Sequence, residues 1–427
     1  MSQTIASVKG TRDFYPEEMA VRTWLYQNIR NVVDSYGYQE WDGPFLEKID
    51  LYAAKSGEEL VKEQSFVFND RNGDPLTLRP ELTPSLARMV AQRQNNLVFP
   101  LRWWSFGPFW RYERPQKGRT REFFQWNCDI IGANSPEAEA ELIAICASLF
   151  KTVGLSSSQV KVLVNNRRLM DSQLERLGVG AEGKKSVFRL IDRRDKMPPT
   201  EWKAYALEQG ITAAQLDGLS DLLEDQDLWK QSDELVKVFG VLEAIGLTDY
   251  VQYDPQIIRG LDYYTGTVFE AKDQGAGGRS LLGGGRYDNL VGDVGGSPLS
   301  GAGFAMGDVM MGVVLEKYGL LPAFQPSPAK VLVTVFDETR IGASFALANE
   351  LRTQGVKVNC YPEAAKLPKQ LKFADRVGLR YVVIAGPDEE AAGMVTLKDL
   401  VKREQWILPR GEIVQKLKGL LAEEQTV

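Results

Sequence analysis

The stretch FWRYERPQKGRTREFFQWNCDIIG, Phe109 to Gly132, constrains the fold more than any other. Two aromatic-rich arms flank RPQKGRTR, a loop crowded with positive charge, and together they read as a β-hairpin. Side chains along a strand alternate between its faces. On the second arm Phe124, Trp126, Cys128 and Ile130 share an apolar face suited to a core, while Phe123, Gln125, Asn127 and Asp129 share the other. On the first arm Arg111 and Glu113 lie together. The hairpin is expected to present arginine, glutamate, an aromatic ring, an amide and an acid into one cavity. Buried charge is costly unless paired, so a polar sheet face of this kind meets solvent or a ligand. Arg111, Arg114, Lys117, Arg119 and Arg121 suit phosphate, because a planar guanidinium donates two parallel hydrogen bonds. They point to a polyphosphate, a nucleic-acid backbone, or both, and Phe123 suits stacking on a base. A solvated hairpin tip, charged for solubility, is the competing reading.

The chain has 427 residues, enough for two or three domains. Its net charge of −6 makes it no bulk polycation, so any nucleic acid must meet local basic patches. The segment MSQTIASVKGTRDFYPEE has no apolar signal core, and no run is long enough to span a membrane. Cys128, Cys146 and Cys360 form no CxxC pair, which argues for a reducing compartment and against a cysteine-based zinc site. There is no histidine at all. That excludes Ser-His-Asp and Cys-His nucleophile systems and an HExxH metal site. Any chemistry must run on carboxylates, arginines, lysines, tyrosines, or a substrate that needs no base.

Val21, Trp24, Leu25, Ile29, Val32, Val33 and Tyr36 recur at helical spacing over residues 17–36, and Gly37 is placed to end that helix. FVF and LTL predict a hairpin around NDRNGDP. In RPELTPSLARMVAQR, Thr83 is expected as N-cap with Pro84 at the first helical position. Residues 136–152 read as a helix, and a mostly helical insert is expected at roughly 170–245. PAFQPSPAK, residues 322–330, reads as a linker. Beyond it, residues 331–427 alternate strand and helix, the pattern of a small α/β domain.

FWRYE, the basic loop and REFFQ resemble motif 2 of class II aminoacyl-tRNA synthetases. RGLDYYTGTVFE, Arg259 to Glu270, closely resembles the histidine-specific segment of histidyl-tRNA synthetases. KGTRDFYP, LRPELTPSLAR, ERPQKGRTR and GGGRYDNLVGDVGG look like the same family. LPKQLKFADRVGLRYVVIAG and MVTLKDL resemble its anticodon-binding domain. The ordered set covers nearly the whole chain and is specific, although GGGRYD alone is weak. The resemblance implies an α+β fold. Residues 1–321 would form a class II catalytic domain, an antiparallel sheet flanked by helices, and residues 331–427 the anticodon-binding domain. It implies a cytoplasmic homodimer, with the first helix and the strand to Pro44 as motif 1, and no membrane association.

The family activates histidine with ATP to histidyl-adenylate and then transfers it to tRNA(His). By resemblance, Arg111 grips the α-phosphate, Glu113 holds the nucleotide, Phe123 stacks on adenine and Arg121 reaches the phosphates. Arg259 is the second α-phosphate arginine. Glu81, Thr83 and Gln125 match residues that hold the amine, and Asp129 and Tyr264, with Tyr263 nearby, match those that read the imidazole. In a regular strand Tyr263 and Tyr264 point to opposite faces, which favours Tyr264. Arg114 and Gln116 match positions near the tRNA acceptor end. Magnesium accompanies ATP, and no protein residue is assigned as its ligand.

The family's motif 3 carries an arginine for the γ-phosphate after GFAMG, but that position here falls on Met310, with Arg279 or Arg286 as substitutes. The family also often has histidine in motif 2, where this chain has Tyr112 and Phe124. An alternative within the same resemblance is the histidine-sensing regulatory subunit of ATP phosphoribosyltransferase. Such paralogues usually lack the C-terminal domain and much of the basic loop, and this chain has both.

Overall fold

Leu25, Ile29, Val32 and Val33 recur every three to four residues, and they are the buried positions of helix α1, Pro16–Ser35. Gly37 follows in the left-handed region at φ 75°, where glycine alone is unstrained. The computed structural model describes residues 4–53, 61, 63–116, 118–258, 264–275, 277–289 and 291–425. It falls into two compact units, residues 1–13 with 22–322 and residues 14–21 with 323–427.

An eight-stranded sheet organises the first unit, in the order β1-β5-β6-β11-β10-β9-β7-β8. The strands are β1 (Gln39–Glu40), β5 (Leu101–Trp110), β6 (Glu122–Ile131), β7 (Val160–Asn166), β8 (Val251–Tyr253), β9 (Thr267–Asp273), β10 (Ser280–Tyr287) and β11 (Gly301–Gly307). Pairing is antiparallel throughout the middle, and only the edge pairs β1–β5 and β7–β8 are parallel. The basic hairpin is β5–β6, in register from Leu101 opposite Ile131 to Trp110 opposite Glu122. Trp126, Cys128 and Ile130 face the core, as period two requires. Helix Pro136–Thr152 shares that core and is buried on almost every side, as its nearly continuous apolar sequence demands. The expected small hairpin is β3 (Phe66–Asn69) with β4 (Pro75–Leu78), and β2 (Leu46–Lys48) adds a third strand.

Between β7 and β8 the chain runs through helices Arg167–Arg176, Ala181–Asp192, Pro199–Glu208, Ala213–Glu224 and Asp233–Ala244. Asn166 caps the first, its side chain accepting from the N–H groups of Arg168 and Leu169. One local expectation fails. The helix over Thr83–Arg93 takes Leu82 as its N-cap and has no side-chain cap bond. Thr83 sits inside the first turn and borders a cavity instead.

The second unit carries a five-stranded sheet, order β13-β12-β14-β15-β16. β12 (Val331–Val333), β13 (Val358–Cys360) and β14 (Tyr381–Ile384) are parallel and joined by helices, as strand–helix alternation demands. β15 (Met394–Asp399) and β16 (Glu404–Pro409) close the edge as an antiparallel hairpin.

Candidate active site

The middle of the large sheet builds the site. Register aligns Asn127 of β6, Ala305 of β11, Gly283 of β10 and Glu270 of β9 in one row. The next row is Asp129, Gly303, Gly285 and Val268. Small residues in the centre of both rows leave a trough between polar walls, a cavity of about 250 Å³. Of the residues singled out from the sequence, Glu81, Thr83, Arg111, Gln125, Asp129 and Tyr264 all border it. Arg259 and Tyr263 lie outside the described residues.

Asp129 is strongly perturbed. Burial pushes its carboxyl up to about 7, while the hydrogen bond from the Tyr287 hydroxyl, 2.6 Å to Oδ1, pulls the other way. Gly303 stands directly beneath, and a Cβ there would fall on Asp129 Oδ1. Glycine at 303 is thus a steric condition for Asp129 to face the trough.

Arg111 joins this cavity to a second one of about 200 Å³, bordered also by Glu113, Arg119, Phe123 and Met310. Arg111 Nε donates to the Pro80 carbonyl at 2.9 Å, and its guanidinium lies 5.3 Å from the Phe123 ring centre. Phe123 stacks on Phe109, with centroids 5.9 Å apart and planes at 27°. Arg121 borders neither cavity; its guanidinium lies over the Tyr112 ring at 4.0 Å and its Nε donates to the Glu113 carbonyl. Arg114 and Gln116 are exposed at the hairpin tip, where Gln116 pairs with Arg119.

The hairpin is braced from two sides. Asp308, at the start of helix Asp308–Lys317, accepts from the Phe124 N–H at 2.8 Å and from Arg12 Nη2 at 2.9 Å. Burial raises the Asp308 pKa and Arg12 opposes that shift. Gly10 accepts from the Arg121 N–H at 2.8 Å; it holds φ 90°, and its lack of a Cβ lets the Arg121 side chain pass.

The two arginines named as substitutes at Met310 separate clearly. Arg286 is buried and grips Glu139 with both ends of its fork, Nε–Oε1 at 2.7 Å and Nη2–Oε2 at 2.5 Å, and donates to the Ala133 and Ser135 carbonyls. It is a structural clamp. Arg279 is exposed and close to the second cavity. Its Nη1 lies 3.1 Å from the point where a Cβ on Gly118 would stand, and Met310 crowds the same point.

Asn127, Glu270 and Tyr287 line the trough, yet sequence reasoning gave them no task. Asn127 was on the correct face by period two, whereas Glu270 and Tyr287 were only letters in motifs. A further groove, of about 840 Å³, carries Arg167, Lys184, Lys185, Arg189 and Arg193 beside Phe188 and Tyr205. No described helix is long and apolar enough to cross a membrane.

A largely antiparallel sheet presenting an arginine hairpin beside a carboxylate-lined cavity defines a class II aminoacyl-tRNA synthetase catalytic unit. The family model described as histidyl-tRNA synthetase matches residues 10–308, and the model of an anticodon-binding domain matches residues 330–420. A histidine–tRNA ligase of Leptospira biflexa is 36% identical, covering 98% of this chain and 99% of its own length. The chloroplastic/mitochondrial histidine–tRNA ligase of Arabidopsis thaliana is 37% identical, covering 93% of this chain and 84% of its own. A crystal structure of histidyl-tRNA synthetase from Nostoc sp. PCC 7120 superposes with TM-score 0.84 at 27% identity, covering 98% of this chain and 99% of that one. The chain belongs to the histidyl-tRNA synthetase family.

Proposed function

We propose that this chain, an aminoacyl-tRNA ligase by family, activates histidine with ATP and transfers it to tRNA(His). The observation that carries this reading is the pairing of two cavities across Arg111, one rich in carboxylates and the other in guanidinium groups. In the first step a carboxylate oxygen of histidine bonds to the α-phosphorus of ATP, and the bond to pyrophosphate breaks. That carboxylate is ionised at neutral pH, so no general base is needed. A chain without histidine residues can therefore catalyse the step by alignment and by stabilising phosphate charge. In the second step a terminal ribose hydroxyl of the tRNA attacks the carbonyl and AMP leaves.

Arg111 and Arg259 hold the α-phosphate and Glu113 and Phe123 hold the nucleotide; the phosphate contact of Arg121 rests on the resemblance alone, since its guanidinium lies over Tyr112 outside both cavities. Arg279 supplies the cation that Met310 lacks, because its guanidinium lies beside that side chain at the second cavity. Glu81, Thr83 and Gln125 hold the amine, and Asp129 and Tyr264, with Tyr263, read the ring. Magnesium enters with the polyphosphate. Magnesium favours phosphate oxygens and water as ligands, so the polyphosphate itself supplies its site.

Arg114 and Gln116 meet the acceptor end, and the basic groove over Arg167 and Arg193 suits backbone phosphates. Residues 1–321 act as the catalytic domain, 322–330 as linker and 331–427 as the anticodon reader. The working form is a homodimer, which rests on the likeness of α1 and β1 to motif 1, and it is cytoplasmic by family likeness. The regulatory reading has less support, since the basic loop and an anticodon-binding domain are both present. The test is charging of tRNA(His) transcript with labelled histidine: acid-precipitable label that accumulates only with ATP supports the reading, and none at any enzyme concentration rejects it.

A further inference from the structure

Two buried polar groups face the trough with bonding capacity unused. Asn127 is 4% exposed, and its Nδ2 has no hydrogen-bond partner among the described residues. Glu270 is 7% exposed, and its Oε2 has none either. Among the described residues its one ion-pair partner is Lys272, whose Nζ stands at 3.6 Å, too long for a hydrogen bond. Buried polar atoms are rarely left unpaired, and a carboxylate oxygen least of all. Both groups border the same cavity, at opposite ends of one row, separated only by Ala305 and Gly283. A Cβ on Gly283 would meet nothing closer than the Phe269 carbonyl at 3.9 Å. The floor between the two groups is therefore open, with room above it for a ligand.

We propose that Glu270 and Asn127 contact the amino-acid substrate directly and read it from opposite walls. This rests on the histidine-activating reading above and adds two specificity residues to it. Glu270 accepts an N–H of the ligand, and Asn127 donates to an acceptor on it. The row thus demands a donor on the β9 side and an acceptor on the β6 side. A zwitterion with an imidazole satisfies that polarity, whereas a hydrocarbon side chain leaves buried groups unpaired and is rejected. Glu270 also adds a third carboxylate to Glu81 and Asp129, which disfavours acidic side chains.

Titration calorimetry of histidine into the full chain decides it. Glu270→Ala is expected to weaken histidine binding roughly tenfold or more, because an acceptor for a charge-assisted bond is lost, while ATP binding stays within about twofold. Glu270→Gln, which keeps the shape and one acceptor oxygen, recovers part of the loss. Asn127→Ala weakens histidine several-fold by the same logic. Lys272→Met removes the neighbouring cation and leaves histidine affinity unchanged. Glu270→Ala binding histidine as tightly as wild type overturns the proposal. So does Lys272→Met matching the loss in Glu270→Ala, since Glu270 then serves only its neighbour. A wild-type chain that binds histidine in a Glu270-dependent way but charges no tRNA would sink the ligase reading and leave this assignment standing. A wild-type chain that binds no histidine overturns both.

Discussion

Asp129→Asn should stabilise the protein, and by an amount set by pH. Asp129 is buried beneath Tyr287 and its carboxyl is raised from 3.8 to about 7. Well below pH 3.8 folded and unfolded chains both carry the proton, so ionisation costs nothing. Between about pH 4 and pH 7 the unfolded chain releases the proton and the folded chain keeps it, so wild-type stability falls as pH rises. At about 1.36 kcal/mol per pKa unit, the difference between 3.8 and about 7 amounts to about 4 kcal/mol lost by pH 8. Asparagine cannot ionise, and its Oδ1 still accepts the Tyr287 hydroxyl. Any fixed cost of burying the amide is independent of pH, so the slope is the readout. Urea unfolding at pH 5, 6, 7 and 8, followed by tryptophan fluorescence, measures it. Eight of the nine tryptophans lie in residues 22–322, so the signal reports the unit that holds Asp129. The stability gain of Asp129→Asn should grow from pH 5 to pH 7 and then level off. Saturating histidine should shrink it, because an N–H donated to the carboxylate favours its charged form. A gain that does not change with pH would refute the burial argument.

Arg279→Ala is expected to raise KM for ATP in pyrophosphate exchange roughly tenfold or more and to leave KM for histidine unchanged. Adding Met310→Arg should restore much of the loss, and no rescue would remove Arg279 from the phosphate site. Arg286→Met should cost about 3–5 kcal/mol in urea unfolding, because it strands the buried Glu139; Arg286→Met with Glu139→Met should cost less than the single change. Gly303→Ala should abolish histidine binding in calorimetry, since its Cβ displaces the Asp129 carboxylate, while ATP still binds; unchanged histidine affinity would contradict the trough geometry.

Local pattern made some of this legible and distance hid the rest. Period two sorted Trp126, Cys128 and Ile130 from Gln125, Asn127 and Asp129, because a strand's faces are fixed by its own backbone. Helical spacing placed α1 almost to the residue, and Gly37 ended it. Arg286 was different. Nothing near it in sequence announced a partner 147 positions away in Glu139, so an arginine in a glycine-rich stretch read as a phosphate candidate. Glu270 and Asn127 share a row only because β9, β10, β11 and β6 are neighbours, a register that no local pattern contains. Thr83 has the chemistry of an N-cap, but the cap position falls on Leu82 and the threonine borders the trough.

The most direct test of the central claim is histidine-dependent exchange of labelled pyrophosphate into ATP by wild type and by Arg111→Ala. Among the described residues, Arg111 alone borders both cavities. Exchange that requires histidine, is not supported by phenylalanine or glutamate, and vanishes in the variant is the predicted result. Absence of exchange in a wild-type chain that binds histidine, or full exchange in Arg111→Ala, would contradict it.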